Sequence, residues 1–334
     1  MLFYVVRRLV AVVPVALMVT LIVFSLIHAA PGDPLTLLLS DGASEETIEA
    51  ARLKWGLDLP LWRQYLHYLH IVVQGDLGVS LRYGDPVTST IFSRLPATFE
   101  LASMAILISI TMAVPLGLWA GSRPNSWIDN AGSSVGFLGV SMPSFWLGIM
   151  LILLFSGVLH LLPSSGRDSF GVADDAITGL YIVDSLLRRD LEQVGDAMSH
   201  IILPAAALGI NMVGILMRVT RSAIIEIMGE DYITTARAKG ATDRRVLWYH
   251  GLRNALIPIL TVVGLELGTL LSGSVIIETV FSWPGTGSLL ISAINGRDYP
   301  LVVGTILTYT MIFVVINFVI DLLYPLVDPR IKIQ

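Results

Sequence analysis

The chain has 334 residues, of which 54% are hydrophobic and only 14% are charged, and its mean hydropathy is +0.74. Soluble domains carry about 25% charged residues, so this composition lies far outside the soluble class and favours a helical protein that crosses a membrane several times. The absence of cysteine excludes disulfides and thiolate metal sites, and the net charge of −5 says less than the distribution of the charges.

Six apolar segments are long enough to cross about 30 Å of hydrocarbon as helices, and the need to satisfy backbone groups within the segment favours helices over strands. The first follows Arg7 and Arg8 and is longer than the apolar core of a cleaved signal, so we expect an uncleaved anchor. The third is too long for one straight crossing, so we expect it to tilt or extend past the interface. The fourth is the weakest, because it is short and carries Pro204 near its start. The predicted spans are 9–30, 101–121, 131–162, 201–217, 255–277 and 301–320.

Lysine and arginine predict the orientation. With the N-terminus inside, segments 1–8, 122–130, 218–254 and 321–334 hold 12 basic residues in 68 positions. Segments 31–96, 163–199 and 278–300 hold 9 in 126. By the positive-inside rule, both termini are expected in the cytoplasm.

Loop 31–96 contains two helical patterns. The stretch "SEETIEAARLKWGL" has a plausible cap at Ser44 and Gly56 after its last turn. The stretch "PLWRQYLHYLHIVV" is predicted to place an apolar face of Leu61, Tyr65, Tyr68 and Leu69, with Trp62 nearby, at the membrane interface. A simple cover of the interface and an active gating role both remain open.

Several chemical sites are disfavoured by their context. None of the three lysines follows a glycine, so there is no P-loop for ATP. "GSSVG" at 132–136 lies inside an apolar span, where it favours close helix packing over a nucleophile, as does the GxxxG spacing at 117–121 and 264–268. His67 and His70 lack a nearby acid, which favours interfacial histidines over a metal site.

Glu266, in "VGLELGTL", is the one carboxylate deep within a predicted span. Intramembrane acids usually face a partner or a water-filled path, so a role in a pathway or between subunits and a buried structural hydrogen bond both stay open. A proton-coupled carrier would normally show several such groups or repeated broken helices.

The polar stretch "GEDYITTARAKGATDRR", residues 229–245, connects spans four and five. Glu230 and Asp231 lead into a predicted helix, in which Ala236 and Gly240 are four apart and share a nearly bare face. Four basic residues surround that face: Arg237, Lys239, Arg244 and Arg245. The pattern predicts a short docking helix; a loop that only fixed the topology would explain the charges but not the glycine.

The stretch "EDYITTARAKGATDRRVLWYHGLRNALIP" resembles the EAA loop of permease subunits in bacterial ATP-binding-cassette importers. More narrowly, the chain resembles the first permease subunit of the dipeptide, oligopeptide and nickel uptake family over nearly its whole length. The stretches that carry the likeness are "RRLVAVVPV", "APGDP", "GDLGVSLRYGDPV", "LPATFELA", "SMPSFWLG", "ETVFSWPGTG", "RDYPLVVG" and "DLLYPLVDPRIK".

This resemblance implies an all-α polytopic membrane protein with the type I importer permease fold and six transmembrane helices. An extracytoplasmic helical loop would follow the first span, and a cytoplasmic coupling helix would lie between spans four and five. The implied units are the tail and first span at 1–30, the extracytoplasmic loop at 31–96, and a permease core at 97–334 that contains the coupling loop 222–254.

The resemblance also implies the partners: a second permease subunit, two cytoplasmic ATPases and an extracytoplasmic binding protein, in the lipid of a bacterial inner membrane and without nucleic acid. The chain itself would be a transport subunit with no ATPase site, catalytic residue, metal or cofactor. ATP and Mg would be bound by the ATPase subunits.

Residues 232–245 would form the coupling helix, seated in a groove of one ATPase with Gly240 at the tight contact. The usual motif begins Glu-Ala-Ala; here Thr235-Ala236-Arg237 stands in that place, as is common in this branch. The implied coupling residues are Glu230, Asp231, Tyr232, Ala236, Arg237, Ala238, Lys239, Gly240, Arg244 and Arg245.

The implied translocation path runs between this subunit and a second permease. Its candidate residues are Ser141, Met142, Phe145 and Trp146 on span three and Glu266, Thr269 and Ser272 on span five. Phe145 and Trp146 could equally face lipid or the core.

For the cargo, the long loop 163–199 resembles the insertion of dipeptide-type members, whereas nickel-type members usually have a shorter connection here, although "FLGVSMPSFWLG" is close to theirs. The spans also lack a convincing histidine cluster. Dipeptides or short peptides are therefore favoured over nickel or glutathione. A secondary carrier would need no ATPase, and a channel or scaffold would need no docking helix.

Overall fold

The computed structural model describes residues 2–29, 45–46, 49, 52–53, 56–169 and 177–327. Most of this backbone is helical, with a tight hairpin at 78–87 in which the Ser80 amide donates to the Asp85 carbonyl at 2.9 Å. The helices are α1 (Leu2–Ala29), α2 (Leu61–Val73), α3 (Val87–Ser122), α4 (Trp127–Ser141), α5 (Ser144–Leu151), α6 (Tyr181–Arg188), α7 (Leu191–Met228), α8 (Asp231–Ala238), α9 (Asp243–Arg245), α10 (Leu252–Gly273), α11 (Val275–Val280), α12 (Thr286–Asn295) and α13 (Tyr299–Val327). Two π-helical segments, Ile152–Val158 and Val246–Gly251, follow α5 and join α9 to α10.

The two longest helices, α3 and α7, pack along each other and form the centre of the bundle. Helices α4 and α5 pack on α7, α10 packs on α7 and α13, and α1 packs on α13. Buried Leu101, Ile201 and Trp283 belong to the largest apolar cluster. One end of the bundle carries α8 and is named the coupling end after its predicted role. The opposite end carries the hairpin and α12.

Small residues bring these helices together. A methyl group at Gly117 of α3 would come within 2.9 Å of the Met217 carbonyl oxygen of α7, and one at Gly136 of α4 would lie 3.3 Å from Gly214 Cα. At Gly268, a methyl group would come within 2.7 Å of the Phe313 ring. The prediction that these glycines serve close helix packing is confirmed.

The third predicted span, expected as one helix that tilts or extends past the interface, is broken into two helices. Helix α4 ends at Ser141 and α5 begins after Pro143. Proline disfavours the helical conformation of the preceding residue and has no amide hydrogen to donate, which excludes Met142 from the helix and ends it at Ser141. The fifth predicted span also contains a break, at Ser274 between α10 and α11.

The fourth predicted span is the longest helix rather than the weakest. Helix α7 has 38 residues and continues through Pro204. Its polar flanks extend the apolar part at both ends, and the Asp190 carboxylate caps its first turn by accepting from the Gln193 amide at 3.1 Å. Helix α3 likewise begins at Val87, inside the predicted loop 31–96.

Four helical stretches in the described residues are long and apolar enough to cross a membrane: Val87–Ser122, Leu191–Met228, Asp243–Leu271 and Tyr299–Tyr324. Val13–Ser25 and Ser144–Val158 are shorter apolar helices within the first and third predicted spans. The protein is therefore a helical membrane protein, and the number of six crossings stays a prediction.

Helix α2, the predicted interfacial helix, packs on α1. Its Gln64 side chain meets His28 Nε2 at 2.8 Å, and the Tyr65 hydroxyl donates to the Leu17 carbonyl at 3.0 Å. The buried residues of α2 are Gln64, Tyr68 and Ile71. Leu61 does not belong to this face: it is exposed, as is Trp62. The helix predicted around Ser44 lies mostly outside the described residues.

Candidate coupling site and translocation path

Helix α8 lies in the polar segment predicted to dock a partner and is anchored by few contacts. Ile233 is fully buried, and the Tyr232 hydroxyl accepts from Asn254 Nδ2 of α10 at 3.0 Å. Glu230 and Asp231 at the start of α8 are exposed. The helix is therefore fixed on one side and leaves the other side open.

The structure corrects the predicted shape of this segment. A single helix over 232–245 does not form: α8 ends at Ala238, and Gly240 has a φ of +85°. The Gly240 amide donates to the Arg237 carbonyl at 2.9 Å and the Ala241 amide to the Ala236 carbonyl at 3.1 Å. These two bonds form a Schellman cap, which needs a left-handed residue and so favours glycine. Ala236 and Gly240 consequently do not share a helix face.

The chain then turns back toward the bundle. Helix α9 begins after Thr242, whose hydroxyl accepts from the Arg245 amide at 3.4 Å. Val246 is buried, and a methyl group at Gly251 would come within 3.0 Å of Met228 Cε at the end of α7. Residues 230–245, named the coupling segment after their predicted role, are thus held between the end of α7 and the start of α10.

The basic residues of this segment face outward. Arg237, Lys239, Arg244 and Arg245 are all exposed. Arg237 Nε lies 3.9 Å from the Asp243 carboxylate, a long and solvent-exposed ion pair of the kind that contributes little stability. This exposed, basic turn can accept acidic side chains from another protein.

A buried ion pair braces the same end of the bundle. Arg221 of α7 donates to both carboxylate oxygens of Asp129 in α4, at 2.5 and 2.7 Å. The Asp129 carboxylate also accepts from the Asn125 amide at 2.8 Å. The bonds from Arg221 lower the pKa of Asp129 to about 2, which keeps it ionised. Sequence reasoning missed this pair, because a separation of 92 residues leaves no local pattern.

The candidate path residues lie on α4, at the break that follows it, on α5 and on α10. Ser141 is exposed, Met142 is half-buried at the break, and Phe145 and Trp146 are each 43% exposed. On α10, Glu266 is half-buried and Thr269 is exposed; the side chain of Ser272 lies outside the described part. In the described residues no hydrogen bond or ion pair joins the candidates on α4 and α5 to those on α10.

One polar stripe was predicted only at its last residue, Ser141. Helix α4 exposes Asn130, Ser133, Ser134 and Ser141, a spacing that keeps them close to one face of the helix. Ser134 and Ser141 donate to carbonyls one turn earlier, at 2.8 Å each, which satisfies their hydroxyls. Polar groups on an exposed intramembrane face usually meet a partner or water, and their helical spacing within an apolar span was the signal that could have found them.

At the opposite end, two of the quoted stretches meet. Glu278 of α11 is fully buried and accepts from the hydroxyls of Thr98 at 2.9 Å and Ser274 at 2.7 Å and from the Ser288 amide at 2.9 Å. Trp283 Nε1 donates to the Ala97 carbonyl at 2.9 Å. The stretches "LPATFELA" and "ETVFSWPGTG" are therefore two halves of one buried polar network.

Two further contacts fasten loops to this end. Asp298 is buried and accepts from the Ser80 hydroxyl at 2.5 Å and the Arg82 amide at 3.1 Å, which holds the hairpin against the start of α13. Arg167 donates to Glu100 at 2.6 and 3.1 Å and lies 3.7 Å from the centre of the Tyr181 ring. Buried charges are stable only when paired in this way.

The chain was compared with known families and proteins. The model of the family described as "binding-protein-dependent transport system inner membrane component" matches residues 113–333, and the model of its N-terminal component matches residues 1–102. The chain belongs to this family. It is a permease subunit of an importer and a transport component integral to the membrane. The all-helical membrane fold expected from the sequence is confirmed in the described residues, and the family match confirms an importer permease.

Three relatives align with almost the whole permease. The dipeptide transport system permease protein DppB of Escherichia coli strain K12 is 42% identical over 336 residues, which cover 99% of each chain. The di/tripeptide transport system permease protein DppB of Pseudomonas aeruginosa strain UCBPP-PA14 is 43% identical and covers 100% of each. The glutathione transport system permease protein GsiC of Escherichia coli strain CFT073 is 37% identical and covers 99% of each.

Proposed function

We propose that this permease moves dipeptides or short peptides into the cytoplasm as one subunit of an ATP-driven importer. The observation that supports this most directly is the alignment, end to end and at 42–43% identity, with permeases named for dipeptide and di/tripeptide transport. The long connection 163–199 also supports a peptide cargo, because it resembles the insertion of dipeptide-type members. Arg167 of this connection donates to Glu100 and so anchors it to α3.

Glutathione is the second candidate cargo, because a glutathione permease aligns over the same length at 37% identity. Glutathione is itself a short peptide, so the two candidates share a chemistry of charged termini and amide groups. Nickel is disfavoured by its different chemistry: among the described residues no group of three or more histidines or acids could hold a metal ion.

The coupling segment is proposed to dock on one of two ATPase subunits, which bind ATP and Mg; this chain would have no ATPase site of its own. Docking would use the exposed side of α8 and the basic turn around Gly240. Because α7 and α10 hold the segment from both ends, an ATPase that moved it would move the spans attached to it. The preference of ATP for the closed ATPase pair would supply the free energy.

The translocation path is proposed to lie between this permease and a second, similar one. Phe145 and Trp146 lie on α5, whereas Glu266 and Thr269 lie on α10, and a partner with a similar set of helices would complete the wall of the path. Both termini would be cytoplasmic and loop 31–96 extracytoplasmic, where a binding protein delivers the cargo. The proposed units are 1–30, 31–96 and 97–334, with the coupling loop at 222–254.

Uptake of a labelled dipeptide by cells with and without this gene tests the cargo. Excess unlabelled dipeptide, glutathione or Ni²⁺ serves as competitor. Loss of dipeptide uptake on deletion, with competition by peptide and none by Ni²⁺, is the expected result. Unchanged dipeptide uptake together with lost glutathione or Ni²⁺ accumulation would reassign the cargo.

A further inference from the structure

A cavity of about 670 Å³ lies at the coupling end, between the last turn of α3 and the turn that joins α8 to α9. Trp119 of α3 and Trp248 of the π-helical segment line it, and both are exposed. Tryptophan is enriched where a transmembrane protein meets the headgroup region. The two side chains therefore place this cavity at the level of the lipid headgroups.

The cavity has an excess of positive charge. Arg123, Arg237 and Arg244 line it against a single acid, Asp243. Arg237 is the arginine that lies near Asp243, at 3.9 Å. The side chains of Arg123 and Arg244 have no hydrogen-bonding or ion-pair partner among the residues that the structure describes. Two guanidinium groups are thus available to an anion.

We propose that this cavity binds the phosphate of an anionic phospholipid headgroup. Guanidinium groups bind phosphate through paired N–H donors, and basic pockets between transmembrane helices take anionic headgroups. The cavity falls within the usual size range of small-ligand sites. The two tryptophans pack against the glycerol and the upper part of the acyl chains.

Arg123 distinguishes the binding of a lipid in this cavity from the docking of an ATPase on the coupling segment. It caps the end of α3 and lies outside the proposed coupling residues, whereas Arg237 and Arg244 belong to them. A carboxylate of the ATPase would contact Arg237 and Arg244 alone, whereas a headgroup phosphate would also contact Arg123. A lipid bound here would join the end of α3 to the moving segment, so anionic lipid would favour a coupled importer.

The test uses the assembled importer in nanodiscs of phosphatidylcholine with increasing phosphatidylglycerol, followed by measurement of the phosphatidylglycerol that stays bound to the purified complex. Arg123→Gln is expected to lower the apparent affinity for phosphatidylglycerol about fivefold, since one basic residue near an anionic surface contributes about 1 kcal/mol. Arg123→Lys keeps the charge and is expected to retain most of the binding. Arg253→Gln is the matched control, because Arg253 is exposed at the same end, beside Tyr249, and does not line the cavity.

Four results would overturn the proposal. One is wild-type retention of phosphatidylglycerol by Arg123→Gln, and another is an equal loss in Arg253→Gln, which would indicate a diffuse surface charge. The third is loss of the ATPase subunits from Arg123→Gln during purification, which would make the cavity a protein interface. Inorganic phosphate is added in parallel: displacement of the lipid at matched phosphate concentration would assign the site to a free anion.

Discussion

The Ala241 amide donates to the Ala236 carbonyl at 3.1 Å, so the chain folds back on itself directly after α8. Gly240 lies between the two with a φ of +85°, and a methyl group added there would meet nothing within 4 Å in this chain. The cap explains why glycine is favoured at this position. The space around it is open, as the proposed docking of an ATPase at Gly240 requires.

Gly240→Asn and Gly240→Val separate the cap from the proposed contact. Asparagine tolerates the left-handed conformation, so we expect Gly240→Asn to assemble normally but to lose most transport, because its side chain enters the groove. Valine adds about 1–2 kcal/mol of backbone strain, so Gly240→Val should also weaken assembly. Peptide uptake and recovery of the intact complex are the two measurements.

If Gly240→Asn took up peptide like the wild type and only Gly240→Val lost uptake, Gly240 would act only as a helix cap and not as a contact for the ATPase. Gly84→Asn is the matched control, since Gly84 in the hairpin also has a positive φ, +74°, and a methyl group added there would meet nothing within 4 Å. A comparable loss in that variant would show that transport is sensitive to a side chain at any such glycine.

Asp129→Asn should destabilise the coupling end by about 3 kcal/mol, because it leaves the partner of a buried ion pair without its counter-charge. The carboxylate is 3% exposed and the Arg221 guanidinium 28%, so solvent relieves only part of this cost. Thermal unfolding of the purified permease measures the change. A melting temperature equal to that of the wild type would mean that the pair contributes nothing.

The same carboxylate predicts a pH dependence. Its pKa in the folded protein is lowered to about 2, below the value near 3.9 of an unfolded aspartate. Its stabilising contribution is therefore complete above about pH 4 and is lost as the pH falls toward 2. The stability difference between the wild type and Asp129→Asn should shrink over that window and stay constant from pH 5 to 8; a constant difference down to pH 2 would argue against the shift.

Thr98→Val should destabilise the opposite end by about 1–3 kcal/mol, because buried Glu278 loses a hydrogen-bond donor. The Thr98 hydroxyl also accepts from the Thr286 amide at 2.8 Å. Thr111→Val on the same helix is the control: Thr111 is exposed and bonds only to carbonyls of its own helix, so its change should stay within about 0.5 kcal/mol. Equal melting temperatures for the two variants would contradict the role of the network.

The proposed path can be mapped with single cysteines, since the native chain has none. Ser141→Cys and Thr269→Cys should react with a water-soluble maleimide in the assembled importer, because a translocation path admits water. Met311→Cys on α13 is the control at an exposed apolar position, where lipid should block the reagent. Labelling of the control alone would place Ser141 and Thr269 away from the path.

Hydropathy predicted the helical membrane class and the approximate positions of the spans, because burial in lipid depends on local composition. It underestimated the length of α7, because the polar flanks of this helix are stabilised by capping and packing and do not show in a hydropathy pattern. It also missed the break at Met142, although Pro143 was visible. Proline interrupts some helices and is tolerated in others, as Pro204 shows, so the residue alone did not decide the outcome.

For the site, the sequence located the polar segment but not its shape. The spacing of Ala236 and Gly240 fits one helix face, whereas the left-handed conformation of Gly240 places them on either side of a turn. Asp129 with Arg221, and Thr98 with Glu278, are pairs far apart in the chain. Only the packing of the helices brings them together, and no local pattern contains that information.

The most direct test of the whole account is peptide accumulation in vesicles that contain the importer reconstituted from all its subunits, with ATP hydrolysis measured alongside. We expect accumulation only when ATP, both ATPases and the binding protein are present. We expect Gly240→Asp, whose side chain is charged and tolerates the left-handed backbone, to insert, assemble and bind the binding protein nearly normally while accumulation is lost. Accumulation without the ATPases, or unchanged accumulation by Gly240→Asp, would contradict the assignment of residues 230–245 as the joint between ATP hydrolysis and transport.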